Sequence, residues 1–193
     1  MTRDLLLRAA EQVFARVGYE KAQVEEIADA AGFSKGALYA HFKSKEDLFL
    51  ALAKSKAAGY DAKLRHALNS VATREKKIAA FRCFYVDLSK EKEWALLILE
   101  VKLFITRYPE VREKLRVEEP AGDSIEAALV ELFGSSARAA GEALGGIFSA
   151  LALEADLEPA ILSERTVRAM MGTVFDALLG LGDQATLPKK KRE

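Results

Sequence analysis

Residue types that support cross-linking or metal chemistry are scarce in this chain. Its 193 residues include one cysteine, Cys83, and two histidines, His41 and His66. A single cysteine excludes an internal disulfide framework and is compatible with a reducing compartment. Because Cys83 lies in an apolar helical pattern, we expect an inert buried thiol. Two isolated histidines do not form the clustered ligand sets of zinc sites, so no metal centre is predicted.

Long apolar runs and an excess of one charge are also missing. No stretch approaches the roughly 20 apolar residues that cross a bilayer. Charged residues at positions 3, 4 and 8 interrupt the first apolar run, which argues against a secretory signal peptide. Lys and Arg number 29 and Asp and Glu number 29, so the net charge is zero. We therefore expect a cytoplasmic protein with no membrane partner, in which any surface for a polyanion is local.

Motifs of the common enzyme classes are absent from the sequence. There is no Gly-rich phosphate loop, no GxSxG and no HExxH. The pair Gly145-Gly146 lies within an apolar helical pattern and follows no strand. We expect neither catalysis nor a bound cofactor.

The apolar residues recur at helical spacing, and strand signals are nearly absent. The pattern predicts an all-α protein of about nine or ten helices. The predicted helices cover approximately residues 3–17, 24–31, 35–42, 45–68, 73–89, 91–106, 110–118, 124–133, 135–156 and 163–181. Three prolines, at positions 109, 120 and 159, fall between them, where proline is tolerated.

The most informative segment runs from residue 18 to residue 48. Two short helical patterns are separated here by a turn that contains Gly32, which can adopt positive φ at little cost. Ser34 is a good N-cap for the second of these helices. The layout predicts a helix-turn-helix whose small second helix enters the major groove of DNA.

Residues 5–50 resemble the N-terminal domain of the TetR/AcrR family of bacterial transcriptional regulators. The matching positions keep a fixed, ungapped spacing: Gly18-Tyr19, Val24, Ile27-Ala28, the run from Ala31 to Gly36, Leu38-Tyr39, His41-Phe42, Ser44-Lys45 and Leu48. The resemblance implies a homodimer that binds a palindromic operator, usually as a repressor released by a small ligand. The chain departs from the family at Ala22 and Gln23, where members usually carry hydroxyl side chains that contact phosphate.

Candidate base contacts lie at the start of the second helix, where recognition helices meet base edges. These positions are Ser34, Lys35, Gly36 and Ala37. Lys35 is the only long donor among them and suits guanine O6 or N7. Gly36 allows a close approach of the backbone, and Ala37 suits a thymine methyl group.

Candidate phosphate contacts follow from the resemblance and are Tyr39, His41 and Lys45, with Gln23 as a weaker addition. Such contacts fix register but carry little sequence information. Residues 33–45 hold three lysines and no acid, whereas residues 1–32 hold four bases and six acids. The positive surface is therefore predicted to be narrow. The alternative for Tyr39 is that it covers the core, and a lone His41 is structural in many proteins.

The predicted fourth helix is long and joins the N-terminal bundle to the rest of the chain. We place a domain boundary inside it, which predicts a helix-turn-helix DNA-binding domain over 1–48 and a ligand-binding and dimerisation domain over 49–186. A basic tail, 187–193, is expected to be disordered. It resembles a nuclear localisation signal, but in a bacterial-type regulator a solvated tail is the simpler interpretation.

Aromatic and aliphatic stripes in the larger domain allow two interpretations. Core packing explains most such stripes, whereas the resemblance implies a mainly apolar ligand cavity oriented by a few polar groups. The candidate lining residues are Tyr60, Phe81, Phe84, Tyr85, Leu88, Trp94, Leu97, Ile98, Glu100, Val101 and Phe104.

The last two long helices have the composition of a dimer interface. The final one is apolar on more than one face and must bury both, so two such helices from each subunit would form a four-helix contact. The candidate residues are Phe148, Leu151, Ala152, Met170, Met171, Val174, Phe175 and Leu178. The alternative is a monomer with a wide core.

The sequence thus predicts a ligand-responsive transcriptional regulator that binds an operator as a homodimer, most simply as a repressor. An activator or a ligand-independent regulator of the same family remains open. So does an all-helical partner-binding protein that has lost DNA binding.

Overall fold

The computed structural model describes residues 1–88, 90–115, 129–132, 134, 137–158 and 160–178. Within these ranges all regular structure is helical, which confirms the predicted all-α class. The α-helices are α1 (Thr2–Lys21), α2 (Val24–Ala30), α3 (Lys35–Tyr39), α4 (Lys45–Asn69), α5 (Arg74–Leu88), α6 (Lys92–Arg107), α7 (Ala137–Leu157) and α8 (Glu164–Leu178). None of the helices described is both long and apolar enough to cross a membrane.

Most predicted helix boundaries lie within a few residues of the observed ones, but the third helix and the helix predicted over 110–118 differ for physical reasons. The third helix ends at Tyr39 instead of residue 42, because the chain turns there to bury Phe42. The helix predicted over 110–118 is wrong where it is described, since two 3-10 turns, Pro109–Val111 and Glu113–Leu115, occupy it. Of the helix predicted over 124–133, only residues 129–132 are described and helical. The predicted tail, 187–193, lies outside the described residues.

Helix α1 does not end near residue 17 as predicted but breaks at Gly18 and continues to Lys21. Gly18 has φ 76° and ψ 166°, a backbone conformation that side chains with a Cβ rarely adopt. The break exposes the N–H of Tyr19, which donates to Glu100 Oε2 of α6 at 3.1 Å. A Cβ at Gly18 would lie 3.1 Å from Glu100 Oε1, so glycine also makes room for this carboxylate.

The N-terminal core contains more than the first four helices. Helix α6 contributes Leu97 and Phe104, which are 4% and 3% exposed. Phe104 packs on the Tyr19 ring at a centroid distance of 4.6 Å and on the Phe49 ring at 5.3 Å. Phe14 completes this aromatic cluster through its contact with Phe49 at 5.1 Å. Tilted and edge-to-face aromatic contacts of this kind are favourable beyond the area they bury.

A second core lies at the other end of the chain, between the end of α4 and helices α5, α7 and α8. Its buried members include Leu64, Leu68, Phe81, Leu144, Phe148, Val167 and Met171. Helix α7 packs closely along α6, and a Cβ at Gly146 would come within 3.1 Å of Lys102. Small residues of α7 therefore serve an approach to α6 within the chain.

Helix α4 runs through residue 48 without interruption and supplies Phe49 to the N-terminal core and Leu68 to the second core. The domain boundary at residue 48 stays a prediction.

Candidate nucleic-acid interface

Helices α2 and α3 form a compact helix-turn-helix unit. Gly32 has φ 75°, and its N–H donates to the Asp29 carbonyl oxygen at 3.0 Å. The next N–H, of Phe33, donates to the Ala28 carbonyl oxygen at 2.9 Å. These two bonds satisfy the open carbonyl groups at the end of α2 and direct the chain into α3. The turn therefore has the geometry that the sequence predicted for it.

Helix α3 is one short turn that is fixed at two points. Ser34 caps it, since its Oγ accepts from the Ala37 N–H at 3.2 Å. Leu38 anchors it and is fully buried. Lys35 and Gly36, at the start of the helix, are exposed to solvent.

The predicted base-edge residues lie together at this exposed end. Lys35, Gly36 and Ser34 are exposed, and Ala37 is half-buried. The Ser34 oxygen serves as the cap acceptor, so its hydroxyl hydrogen is what it can offer to a ligand.

The predicted phosphate contacts divide into two groups. Tyr39 is 42% exposed and His41 is exposed, so both lie on the open surface beside Lys43. Gln23 is exposed at the N-cap position of α2, and its Nε2 donates to the Lys21 carbonyl at 3.4 Å instead of capping the helix. Ala22 is 1% exposed, which shows why a small apolar residue fits there.

Lys45 has a different role from the phosphate contact predicted for it. Its ammonium donates to the backbone carbonyl oxygens of Tyr19 at 2.9 Å, Glu20 at 3.2 Å and Ala22 at 3.1 Å. It also lies 4.6 Å from the centre of the Tyr19 ring. All three ammonium protons thus have partners within the chain. Lys45 holds the end of α1 against the start of α4.

Lys35 forms an ion pair with Glu25 of α2 and lies 5.8 Å from the Tyr39 ring centre. The hydrogen bond from Lys35 lowers the pKa of Glu25, and the same bond raises the pKa of Lys35. The sequence reasoning did not single out Glu25. Its position in the first turn of α2 was visible in the sequence, but its reach to α3 depends on the angle between two helices.

Arg3 is a second residue that the sequence reasoning missed. Its guanidinium lies 5.2 Å from the Phe42 ring centre, so the start of α1 sits beside the turn that carries His41. The sequence grouped Arg3 with an acidic segment, whereas the fold adds its charge to the positive surface. That surface, which we call the α3 face, consists of Arg3, Lys35, Tyr39, His41 and Lys43.

The predicted ligand-cavity residues do not line one pocket. Tyr85, Leu88 and Trp94 border a void of about 10 Å³, which is at the lower limit for one water molecule. Glu100 accepts a hydrogen bond from the Tyr19 N–H. Leu97 and Phe104 lie in the N-terminal core. For these three residues the predicted place in a ligand cavity is corrected. The remaining candidates take other positions. Tyr60 packs on Trp94 at a ring-centroid distance of 4.1 Å, and Ile98 is half-buried. Val101 packs on the N-terminal core, whereas the second core contains Phe81, Phe84 and Tyr85.

A larger cleft of about 340 Å³ lies where α5, α6, α7 and α8 meet. Its apolar lining comprises Val86, Ala152, Ala155, Leu162, Val167 and Met171. Its polar lining comprises Lys90, Lys92, Asp156, Ser163 and Arg168, and Lys92 pairs with Asp156. The eleven predicted cavity residues all lie outside this lining, since periodicity had marked the aromatic stripes instead.

The predicted dimer residues also divide. Phe148 and Met171 are 3% and 1% exposed within one chain, so they are not available to a partner and the prediction for them is corrected. Met170 is 42% exposed, and Leu151, Ala152 and Val174 are half-buried. The side chains of Phe175 and Leu178 lie outside the described part of the structure.

Two further observations concern reactive groups. Cys83 is exposed, so the expected burial of its thiol is wrong, because it lies on the outer face of α5. Among the residues that the structure describes, no three His, Cys, Asp or Glu side chains come together to hold a metal ion.

An all-helical chain with a capped helix-turn-helix near its N-terminus has the architecture of a helix-turn-helix transcriptional regulator. Comparison with known proteins identifies the family that this region resembles. Residues 6–52 match the family model described as bacterial regulatory proteins, tetR family. The helix-turn-helix region of the chain is thus of the TetR-family type.

Individual relatives agree with this assignment. The chain is 34% identical over 120 residues to the HTH-type transcriptional activator FasR of Mycolicibacterium smegmatis, covering 62% of this chain and 54% of FasR. It is 47% identical over 58 residues to the HTH-type transcriptional repressor AcnR of Corynebacterium diphtheriae, covering 30% of each. The chain thus spans about half or less of these curated relatives.

A solved structure reproduces the fold over nearly the whole chain. The transcriptional regulator FadR from Bacillus subtilis, in complex with stearoyl-CoA, superimposes with a TM-score of 0.56. The match covers 91% of this chain and 97% of FadR at 19% identity, which establishes a shared fold.

The position of Lys45 generates a test of its role. We expect Lys45→Gln to lower the free energy of unfolding by about 1–3 kcal/mol, because three charge-assisted hydrogen bonds are lost. Lys43→Gln removes the same charge from an exposed neighbouring position and should change stability by less than about 0.5 kcal/mol. Urea denaturation followed by circular dichroism measures both. Equal stability of the two variants would contradict the structural role.

Proposed function

We propose that the chain is a homodimeric repressor that binds a palindromic DNA operator and is released by an amphipathic ligand with an apolar chain. The observation that carries this proposal is the α3 face, an exposed surface on a short, capped helix. Residues 33–45, which supply most of it, contain no acid. The repressor AcnR supports the direction of control, and the activator FasR leaves activation as the second candidate.

The α3 face supplies both kinds of contact that operator recognition needs. Arg3, Tyr39, His41 and Lys43 have the chemistry to donate to phosphate oxygens, which positions the protein on the duplex. Lys35 stands at the start of α3, where a side chain reaches base edges. Gly36 beside it has no Cβ to keep the backbone away from the groove.

A single copy of this face makes few contacts, so we propose that two copies act together. Successive major grooves are roughly 34–36 Å apart, and a two-fold dimer presents two α3 helices to them. Ile147 of α7 and Met170 of α8 are 37% and 42% exposed on helices that pack against each other. Large apolar side chains exposed on adjacent helices are the composition of a subunit interface.

The proposed ligand site is the cleft between α5, α6, α7 and α8. Its apolar wall fits an acyl chain, and its lysine and arginine side chains suit a carboxylate or phosphate head group. The stearoyl-CoA bound by FadR has this chemistry, with an apolar chain and an anionic head. We therefore propose a fatty acyl thioester or a related amphipathic anion as the effector of this chain.

Helix α6 connects the proposed ligand site to the DNA-binding end. Lys92 at its first turn lines the cleft, and Glu100 and Phe104 further along contact the end of α1. Sixteen residues at about 1.5 Å each give a helix about 24 Å long. A ligand that moves the first turn of α6 would shift α1, and with it the spacing of the two α3 helices. Coupling energies of about 1–3 kcal/mol are typical of such linkages.

The DNA-binding proposal is tested by removing one phosphate donor. We expect His41→Ala to lower operator affinity about tenfold, because the dimer loses a contact at both half-sites. His66→Ala removes the other exposed histidine, on α4, and should leave affinity unchanged. The operator is first selected from random DNA, and affinities are measured by electrophoretic mobility shift at fixed salt. Failure of the wild-type chain to select any sequence would refute the proposal.

The dimer proposal is tested with a charge on the exposed apolar surface of α8. Met170→Glu should give a monomer in light scattering and a large loss of operator affinity, since a buried unpaired carboxylate is costly. Leu103→Glu places the same charge on an exposed apolar side chain of α6, outside the proposed α7–α8 interface, and should remain dimeric. A monomeric wild-type chain at micromolar concentration contradicts the proposed assembly.

The ligand proposal is tested by filling the cleft. Stearoyl-CoA should bind the wild type saturably in calorimetry and weaken its binding to the operator. Ala155→Phe occupies the cleft and should lose ligand binding while it keeps operator binding. Ala79→Phe adds the same volume on the exposed side of α5 and should behave as the wild type. Equal ligand binding by both variants would place the ligand elsewhere.

A further inference from the structure

The ion pair between Glu25 and Lys35 places a carboxylate beside the α3 face. Glu25 lies in the first turn of α2, and Lys35 is the first residue of α3. Both side chains are 53% exposed, so the pair stands in solvent at the entrance to the recognition helix. An acid at this position is unexpected for a surface that approaches phosphates.

Fold stability does not account for this pair, because exposed ion pairs contribute little to folding. The neighbouring acid, Glu26, makes a useful contrast. It pairs with Arg16 of α1, which lies outside the α3 face. Glu25 instead reaches the one long side chain that is suited to a base edge. The identity of this partner, Lys35, indicates that Glu25 acts in DNA recognition.

We propose that Glu25 and Lys35 act as a unit that reads one G·C base pair in each half-site. This inference rests on the proposed function, since it concerns the same DNA-binding surface. Lys35 donates to guanine O6 and N7, and Glu25 accepts from the cytosine N4 amino group of the same pair. The ion pair orients a donor and an acceptor side by side before DNA arrives.

The major groove pattern of a G·C pair fits this unit better than that of an A·T pair. Guanine offers two adjacent acceptors, N7 and O6, and the cytosine N4 donor follows next to them. An ammonium followed by a carboxylate is complementary to that order. In an A·T pair a donor separates the two acceptors, and the thymine methyl group follows. The carboxylate also disfavours phosphate, which directs Lys35 to the bases.

The proposal has a consequence for non-specific binding. Glu25 adds a negative charge to a surface that approaches phosphates. It also pairs with Lys35, which would otherwise be available to neutralise a phosphate. Its removal should therefore tighten binding to random DNA while it relaxes selection at one base pair. A purely structural residue would not move these two quantities in opposite directions.

The experiment uses the full chain and operator duplexes in which single cytosines carry an N4-methyl group. The methyl group replaces the N4 hydrogen that points into the major groove, so that cytosine can no longer donate to Glu25. We expect the wild type to lose affinity roughly tenfold at one cytosine per half-site, the scale of one base contact. Glu25→Ala should be insensitive at that cytosine and should bind random duplexes more tightly than the wild type. Glu26→Ala, the matched control, should keep the wild-type sensitivity. Thermal melting confirms that both variants are folded.

The outcomes separate this inference from the proposed function. If the wild type selects no operator, the proposed function fails and the inference fails with it. If the wild type binds an operator but Glu25→Ala keeps the same methylation sensitivity and the same selected sequence, the role of Glu25 is overturned and the DNA-binding function stands. Loss of guanine selection by Lys35→Met at the same base pair supports the paired reading.

Discussion

The end of helix α1 is the constraint on which the rest of the molecule depends. The helix breaks at Gly18, and two side chains of opposite charge, Lys45 and Glu100, bind the backbone groups next to the break. The Lys45 ammonium satisfies three carbonyl oxygens, and the Glu100 carboxylate accepts the Tyr19 N–H. Because Lys45 begins α4 and Glu100 lies in α6, one short segment of backbone fixes α1 to two other helices. Charged partners are well suited to this, since their hydrogen bonds are stronger than neutral ones.

The aromatic cluster around this point makes the helix-turn-helix part of a larger core. Phe49 is fully buried between Phe14, Tyr19 and Phe104, and Phe104 comes from α6. The N-terminal helices thus complete their core with a helix that also borders the proposed ligand cleft. Packed interiors transmit displacement because they contain little free volume. This arrangement gives the ligand proposal a physical route, and it does so with residues that lie outside both proposed binding sites.

The sequence predicted the local features of this fold well and the long-range ones poorly. The start of α2, the turn at Gly32 and the Ser34 cap depend on neighbours within a few residues, so spacing and residue type were sufficient. Helical periodicity shows that Phe104 faces a core, but it does not show which of two cores. The same limit applies to Phe148 and Met170. A side chain buried within the subunit and one that faces a partner give the same apolar pattern in the sequence. The partners of Lys45 and Glu25 depend on helix angles that the sequence does not state.

Two lysines near the proposed recognition helix are engaged by partners within the chain, which bears on the proposed selectivity for DNA. Lys35 is engaged by Glu25, and Lys45 is engaged by three carbonyl oxygens, so neither is a ready phosphate ligand. A phosphate must compete with these partners, which lowers the number of counterions released on a random duplex and hence the affinity for it. A G·C base pair that binds both Lys35 and Glu25 does not have to separate the two side chains, so Lys35 can bind it without losing Glu25. In the proposed homodimer, discrimination between operator and bulk DNA would then depend on the Glu25–Lys35 pair, which is present once in each subunit.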